Sequence, residues 1–269
     1  MKITNRHIRN FRTKVFAFYK TQGRDLPWRK TTDPYKILIS EFMLQQTQVS
    51  RVIEYFGKWI KLWPTINHLA RATRSEVLMA WMGLGYNTRA VNLHRAAKII
   101  IKDYDSNVLE AVECYKEIAG IGEYTSRAVR IFAANADLVT VDTNIRRILI
   151  HEFRLSEDIS GGALLSIAER CLPKGRSRKW HNALMDYGAL YLTGTKTGIR
   201  PKTQQSTFFK GSDRQIRAHI LRTLLLQTSS LSELYNTCSV EEKRLLRILD
   251  KMVHEQLIAI RNKRYQLKE

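Results

Sequence analysis

The 269-residue sequence has little of what builds a disulfide scaffold, a fibre or a membrane protein. Its three cysteines, Cys114, Cys171 and Cys238, form an odd and widely spaced set. They offer neither a disulfide framework nor an all-cysteine metal site, so we expect a reducing compartment. The 13 glycines and 5 prolines exclude a collagen-like chain. No apolar run approaches the roughly 18 residues needed to cross a bilayer, and no membrane partner is expected.

Acidic residues are also scarce relative to basic ones. Lys and Arg number 45 against 25 Asp and Glu, which gives a net charge of +20. This excess favours nucleic acid or another polyanion as partner, with a merely solvated basic surface as the alternative. The basic, amphipathic N-terminus lacks the apolar core of a signal peptide and predicts a first helix, with an organelle transit peptide as the alternative. We expect a monomer that is cytoplasmic and nucleoid-associated in a bacterium, or otherwise intracellular.

Apolar residues at helical spacing predict a mainly helical fold, whereas Gly, Thr, Pro and Lys mark a linker near 190–206. After it, three helices and a hairpin around Asn262-Lys263 look like a winged-helix module. We predict a catalytic domain over 1–193, a basic linker over 194–206 and the winged-helix-like module over 207–269. Helices are predicted at about 6–21, 35–55, 66–71, 75–82, 88–104, 109–118, 123–135, 143–153, 161–171, 179–192, 213–226, from about 231, and 240–256.

Two short motifs flank one predicted helix. Gly120 and Gly122 permit a tight turn, and the amides that open the following helix can hold a phosphate. A plain connection between helices is the alternative interpretation of this loop. Asp142 stands just before the next helix, where an N-cap is the ordinary role of a carboxylate.

These motifs resemble the helix-hairpin-helix glycine/proline-aspartate (HhH-GPD) superfamily of base-excision DNA glycosylases. Together with four further blocks they look like adenine DNA glycosylases of the MutY type, in the family's order, over about residues 8–192. The blocks are LPWR at 26–29, SEFMLQQTQV at 40–49, GLGY at 83–86 with Arg89 and Asn92-Leu93, and NALMDYGA at 182–189.

The resemblance implies an all-α fold of two helical subdomains with the active site in the cleft between them. Glu41 would protonate adenine at N7, and its apolar neighbours would raise its pKa if it is buried. Asp142 would stabilise the oxocarbenium ion of the sugar, and Asn144 would orient that carboxylate. Tyr124 stands where strand-cleaving relatives have a Schiff-base lysine, so we expect a monofunctional glycosylase.

The resemblance also implies contacts with double-stranded DNA that contains a mispaired or damaged base. Because a base inside a duplex is unreachable, the enzyme must extrude it and fill the gap, the task of Gln46 and Tyr86. Gly120, Gly122 and Thr125 of the hairpin would grip the backbone. The remaining DNA contacts that we predict are Arg89 and Lys196.

The sequence departs from the family in two places. Most members bind a four-iron cluster through four cysteines after the segment equivalent to 182–189, and this chain has no cysteine there. We therefore expect no iron–sulfur cluster, no metal and no other cofactor. The winged-helix-like module replaces the β-rich domain with which longer members read 8-oxoguanine, and its tip, Arg261 to Arg264, could contact phosphates; docking of a protein is the alternative.

We expect removal of adenine mispaired with 8-oxoguanine or guanine. The alternatives are a thymine or uracil mismatch glycosylase and a catalytically silent, lesion-sensing DNA-binding protein. The pair Glu41 and Asp142 argues against the silent protein.

Overall fold

The predicted all-α architecture is confirmed in a computed structural model, which describes residues 3–199 and 211–268. Two single turns of 3-10 helix, Pro27–Arg29 and Tyr115–Glu117, and a turn of π-helix, Tyr187–Tyr191, supplement the α-helices. The α-helices are α1 (Asn5–Gln22), α2 (Pro34–Leu44), α3 (Val49–Leu62), α4 (Ile66–Arg71), α5 (Arg74–Trp81), α6 (Thr88–Tyr104), α7 (Val108–Glu113), α8 (Glu123–Ala134), α9 (Thr143–Phe153), α10 (Gly161–Cys171), α11 (Ser177–Asp186), α12 (Gly194–Thr197), α13 (Asp213–Leu226), α14 (Leu231–Cys238) and α15 (Glu242–His254).

The single helix predicted over 35–55 is wrong, because the chain forms two helices there, α2 and α3. Helix α2 ends at Leu44, and the backbone of Gln46 turns into the left-handed region with φ 55°. Apolar residues continue at helical spacing through the break, so periodicity alone did not reveal it. The predicted helix over 179–192 is also altered, because α11 ends at Asp186 and continues as the π-turn.

The chain divides into two compact units that do not follow chain order. One comprises Met1–Glu41 and Val108–Thr203, and the other comprises Phe42–Asn107 and Gln204–Glu269. We call them the first unit and the second unit. The division into 1–193, 194–206 and 207–269 stays a prediction, and much of its linker lies outside the described residues.

The first unit is built around a tryptophan on α11. Trp180 is almost fully buried, and the rings of Phe11 and Phe16 on α1 lie with their centroids 5.5 Å and 5.3 Å from its own. Phe18 further along α1 contacts Tyr187 in the π-turn, with ring centroids 5.4 Å apart. Helix α1 therefore runs alongside α11 in the same direction and covers one side of this core.

The second unit contains the winged-helix-like module. Strands β1 (Ile258–Arg261) and β2 (Arg264–Leu267) pair antiparallel around the predicted Asn262-Lys263 turn, where both residues have positive φ. Ser229, between α13 and α14, forms a bridge to Tyr265 that adds a third short strand position. Three helices and this hairpin confirm the predicted module.

The module also packs onto the helices between Phe42 and Asn107. Glu255, just after α15, accepts hydrogen bonds from the Arg217 guanidinium on α13 and from Thr88 Oγ1 at the start of α6. Arg74 at the start of α5 donates to the Gln256 carbonyl at 2.9 Å. At the wing tip, Arg264 donates to the Thr228 carbonyl and to Glu233, so this cation already has partners within the protein.

Residues 3–199 and 211–268 include no helix that is both long enough and apolar enough to cross a membrane.

A buried ion pair lies in the first unit, next to the C-terminal ends of α1 and α11. Asp186 has no exposed side-chain surface and accepts from the Arg24 amide and side chain and from both Nη atoms of Arg29, at 2.7–2.8 Å. Desolvation raises the pKa of this carboxyl, but the hydrogen bonds outweigh it and the net pKa is lowered. The charged carboxylate is therefore the form that stabilises the fold.

Asp186→Asn is expected to lower the free energy of unfolding by about 3–5 kcal/mol, since it leaves two arginines without their charged partner. Because the folded pKa is lowered, this contribution is complete above the ordinary Asp pKa near 4 and is lost as pH falls further. Urea unfolding at pH 7 and pH 3 measures both effects. The control is Asp25→Asn, at an exposed pair with Lys30, which we expect to change little. Equal changes in the two variants would contradict this prediction.

Candidate active site

Glu41 is a buried carboxyl on α2. Its side chain is 8% exposed among Ile37, Leu38 and Phe42, which are also buried. Burial, and then the negative charge of Asp142, raises the pKa of Glu41 from 4.5 to about 7. The burial that the predicted rise in pKa requires is present in the structure. At neutral pH this carboxyl holds a proton about half of the time and can act as an acid.

Asp142 serves both as a helix cap and as the second carboxyl of the site. It is the N-cap of α9, and its Oδ1 accepts from the Ile145 amide at 2.7 Å. Its Oδ2 accepts from Asn144 Nδ2 at 3.2 Å. Desolvation raises the pKa of Asp142, and these hydrogen bonds oppose the rise. The carboxylate is thus held in one orientation while it remains poorly solvated.

Arg147 fixes the orientation of the Asn144 amide, and no sequence motif indicated a role for this arginine. Its Nη2 donates to Asn144 Oδ1 at 2.7 Å, so the Asn144 amide nitrogen faces Asp142. The same guanidinium donates from Nη2 to the Gly188 carbonyl at 2.8 Å and from Nε to the Leu192 carbonyl at 2.6 Å. Arg147 therefore connects Asp142, through Asn144, to the end of α11.

The π-turn at Tyr187–Tyr191 and the residue that follows it supply the carbonyls that hold Arg147. A π-turn widens a helix locally, and here it brings the Gly188 and Leu192 carbonyls to one guanidinium. A Cβ atom on Gly188 would lie 3.0 Å from Asn144 Cβ. Glycine therefore lets the turn approach the residue that orients Asp142.

Tyr124 lies near both carboxyls, at the start of α8. Its side chain is 38% exposed, and desolvation together with the charges of Glu41 and Asp142 raises its pKa well above the usual value near 10. The phenol is thus neutral at physiological pH and keeps its proton for donation.

The glycine hairpin precedes α8 as predicted. Gly120 has φ +90°, which favours glycine, and Gly122 is the N-cap of α8. No side chain of the described residues caps this helix end, so its first amides can face a ligand. Thr125 is 4% exposed, so its side chain does not face solvent and a contact with DNA at this position would use the backbone.

Gln46 and Tyr86 belong to the second unit and share an unusual backbone. Their φ angles are 55° and 47°, in the left-handed region that residues other than glycine rarely adopt. Both side chains are exposed, Tyr86 to 47%. The structure thus presents both predicted inserting residues on exposed turns, and their role in DNA binding stays a prediction.

Two predicted DNA-binding cations have different surroundings. Lys196 on α12 is exposed, and its Nζ lies 3.7 Å from the centroid of the Tyr191 ring, where it remains accessible to an anion. Arg89 on α6 is only 9% exposed, and its guanidinium donates to carbonyls of the surrounding loops. A direct phosphate contact by Arg89 is therefore not compatible with its observed position.

Within residues 3–199 and 211–268, no cluster of three or more His, Cys, Asp or Glu side chains could hold a metal ion. The three cysteines of the sequence are unpaired: Cys171 lies on α10, Cys238 on α14, and Cys114 between α7 and the 3-10 turn at Tyr115–Glu117. The absence of an iron–sulfur cluster stays a prediction from the sequence.

Comparison with known proteins finds similarity to DNA glycosylases. Residues 39–174 match the family described as HhH-GPD superfamily base excision DNA repair protein. The chain is 36% identical over 239 residues to an adenine DNA glycosylase from Mycolicibacterium smegmatis, covering 81% of this chain and 82% of that protein. It is 30% identical over 191 residues to a thymine/uracil-DNA glycosylase from Methanothermobacter thermautotrophicus, covering 70% of this chain and 86% of that protein. A solved thermostable thymine-DNA glycosylase superposes with a TM-score of 0.66 at 29% identity, covering 72% of this chain and 92% of that one.

The contact of Gly188 with Asn144 predicts that Gly188→Ala is harmful. The added methyl group would also lie 3.0 Å from Ile148 Cδ1, and such overpacking costs about 1–3 kcal/mol of unfolding free energy. Gly162→Ala on α10 is the matched control, because no atom lies within 4 Å of the new methyl group. We expect the control to be neutral or stabilising by up to about 1 kcal/mol. Urea denaturation measures both, and equal stability of the two variants would refute the close approach.

Proposed function

The chain belongs to the HhH-GPD superfamily of base excision DNA repair proteins, and from this membership we propose that it removes adenine from duplex DNA. The proposed substrate is adenine mispaired with 8-oxoguanine or guanine. The observation that carries the proposal is the pair of carboxyls in the first unit, Glu41 with a pKa of about 7 and the oriented Asp142. Relatives named adenine DNA glycosylase supply the choice of base.

In the proposed reaction, the bond between C1′ of the sugar and N9 of adenine breaks, and its electron pair leaves with the base. A proton from Glu41 neutralises the departing base at N7, which needs the protonated form of this carboxyl. The sugar then carries positive charge, and the Asp142 carboxylate stabilises it. Water bonds to C1′ and releases a proton, which leaves an abasic site and restores the acid.

The division of labour between the carboxyls follows from their surroundings. Glu41 lies among apolar side chains, whereas Asp142 accepts hydrogen bonds from the Ile145 amide and from Asn144. These hydrogen bonds favour the charged form of Asp142, and the negative charge of Asp142 favours the protonated form of Glu41. We therefore propose Glu41 as the acid and Asp142 as the anion.

We further propose that the enzyme does not cleave the strand and holds no iron–sulfur cluster. Tyr124 offers a neutral phenol near the carboxyls, and a phenol cannot form an imine with the abasic sugar. The segment after α11 contains no cysteine that could bind a cluster. The intracellular location and the monomeric state remain predictions.

A second candidate function is excision of thymine or uracil from mismatches. It is favoured by the relative named thymine/uracil-DNA glycosylase and by the superposed thymine-DNA glycosylase. End-labelled duplexes with A, T or U opposite 8-oxoguanine or guanine, followed by alkaline cleavage of abasic sites, distinguish the two. Product from the adenine duplexes alone supports the adenine glycosylase, and product only from T or U supports the second candidate.

Glu41→Gln and Asp142→Asn are each expected to lower the single-turnover rate of adenine excision by about 10²–10⁴-fold, because each removes a group that acts on the reacting bonds. Affinity for the duplex should be retained, since neither change removes a cation. The wild-type rate should fall as pH rises through about 7, where Glu41 loses its proton, and also at low pH, where Asp142 gains one. Glu54→Gln, an exposed position on α3, serves as the control. Full excision by either carboxyl variant would contradict the assigned roles.

Purified protein is expected to contain no iron, to keep its activity in chelator and to give no covalent DNA adduct with borohydride. The physical reason is the absence of an amine at position 124 and of clustered cysteines after α11. Metal analysis and denaturing gels measure these outcomes, with a strand-cleaving glycosylase of the same superfamily as the positive control. Stoichiometric iron would overturn the cluster proposal, and a trapped adduct would reveal a lysine nucleophile elsewhere in the chain.

A further inference from the structure

We infer that Arg89 is a positioning residue that fixes Gln46 and Tyr86 in one rigid arrangement for entry into the duplex. The inference rests on the proposed function, in which these two side chains fill the space that the extruded base leaves. The sequence places Gln46 and Tyr86 forty residues apart, in loops 45–48 and 82–87. One guanidinium, buried in the second unit, joins the two loops.

One side of the guanidinium binds the end of α2. Arg89 Nη1 donates to the carbonyls of Phe42, Met43 and Gln45 at 2.7, 3.1 and 2.7 Å. Carbonyls in the last turn of a helix have no partner within the helix, so a cation there satisfies them and favours the helix dipole. The chain turns left-handed at the next residue, Gln46. Arg89 therefore supports the backbone on which Gln46 stands.

The other side of the guanidinium binds the loop before α6. Arg89 Nη2 donates to the carbonyls of Leu84 and Gly85 at 3.2 and 2.9 Å, directly before the left-handed Tyr86. The same atom donates to Thr47 Oγ1 at 3.1 Å, so it bonds to both loops at once. These contacts place the two exposed residues on backbones that share a single donor group.

Aromatic rings hold the guanidinium in place. Its central carbon lies 5.1 Å from the centroid of the Trp81 ring and 5.6 Å from that of Tyr86, within the range of cation–π attraction. Trp81 is fully buried, and Arg89 itself is 9% exposed. Burial lowers the pKa of Arg89 to about 10, which leaves it charged at neutral pH. The guanidinium therefore binds the two loops and is not accessible to a phosphate.

Only arginine can make this arrangement. A guanidinium presents its donors in a rigid plane, whereas a lysine ammonium is a compact charge with three donors on a flexible stem. Gln46 and Tyr86 each adopt a backbone that is costly for their residue type, and such conformations persist when surrounding contacts determine them. Loops that are already ordered lose less entropy on entering DNA.

The test compares Arg89→Lys with Arg12→Lys. Arg12 is the matched control, because it also donates to carbonyls at a helix end, those of Arg170, Cys171 and Leu172 at 2.8–3.0 Å, but lies in the first unit. Base extrusion is followed by the fluorescence of 2-aminopurine in place of the target adenine, opposite 8-oxoguanine. The Glu41→Gln background keeps the base attached. Two further measurements are made. The first is the salt dependence of duplex binding, and the second is single-turnover excision of adenine by variants that retain Glu41.

Arg89→Lys is expected to lower extrusion and the excision rate by about tenfold to a hundredfold, as for a misplaced contact group. The slope of binding against salt should not change, because no phosphate contact is lost. Arg12→Lys should leave extrusion and excision unchanged. The inference would be overturned if the Arg89→Lys variant extruded the base as well as the wild type, whether or not its binding showed a shallower salt slope.

Two further variants keep the inference testable if Arg89→Lys does not fold. Thr47→Val removes a single acceptor of Arg89 and should lower extrusion by a smaller factor at unchanged salt slope. The double variant Thr47→Val/Tyr86→Ala should lower extrusion by a smaller factor than the product of the two single-variant factors, since both residues act through the same Arg89 contacts. Fully multiplicative effects would overturn the inference. Failure of the unsubstituted chain to extrude the base would overturn the proposed function as well.

Discussion

The site depends on placing two carboxyls near each other with little water around them. In water both would be ionised at neutral pH, and neither could supply a proton. Burial of Glu41 and the charge of Asp142 raise the pKa of Glu41 to about 7, while the Ile145 amide and Asn144 bind the charged form of Asp142. Burial raises the pKa of both carboxyls, but the hydrogen bonds to Asp142 oppose the rise there and favour its charged form. Helix α9, the Asn144–Arg147 contacts and the π-turn all serve to maintain this difference.

Arginine is the residue that holds the described structure together at its irregular points. Arg147 binds the π-turn carbonyls, Arg12 the end of α10, Arg89 the end of α2 and the loop before α6. Arg24 and Arg29 surround Asp186. In each case a planar cation with several donors satisfies backbone or carboxylate oxygens that would otherwise lose their hydrogen bonds on burial. Several of the 45 lysines and arginines are therefore bound within the protein and are not available to DNA.

The second unit joins features that are far apart in the chain. The winged-helix-like module contacts the helices between Phe42 and Asn107 through Glu255, which binds Thr88 at the start of α6, and through the carbonyl of Gln256. Thr88 lies two residues after Tyr86, so the module meets the helix that begins directly behind this exposed residue. The winged-helix-like module is thereby part of the unit that presents Gln46 and Tyr86.

The sequence by itself determined the helical class, most helix positions, the winged-helix hairpin and, through short ordered motifs, the membership of a DNA glycosylase superfamily. These features are local: periodic apolar residues, glycine turns and a capping carboxylate act within a few residues of one another. Only the tertiary structure decided that 35–55 is two helices, that Arg147 orients Asn144, and that Arg89 faces inward. Each depends on contacts between residues distant in the chain, 45 positions for Arg147 with Leu192 and 47 for Arg89 with Phe42. An arginine that binds phosphate and one that binds buried carbonyls have the same side chain, so only their surroundings in the folded protein distinguish them.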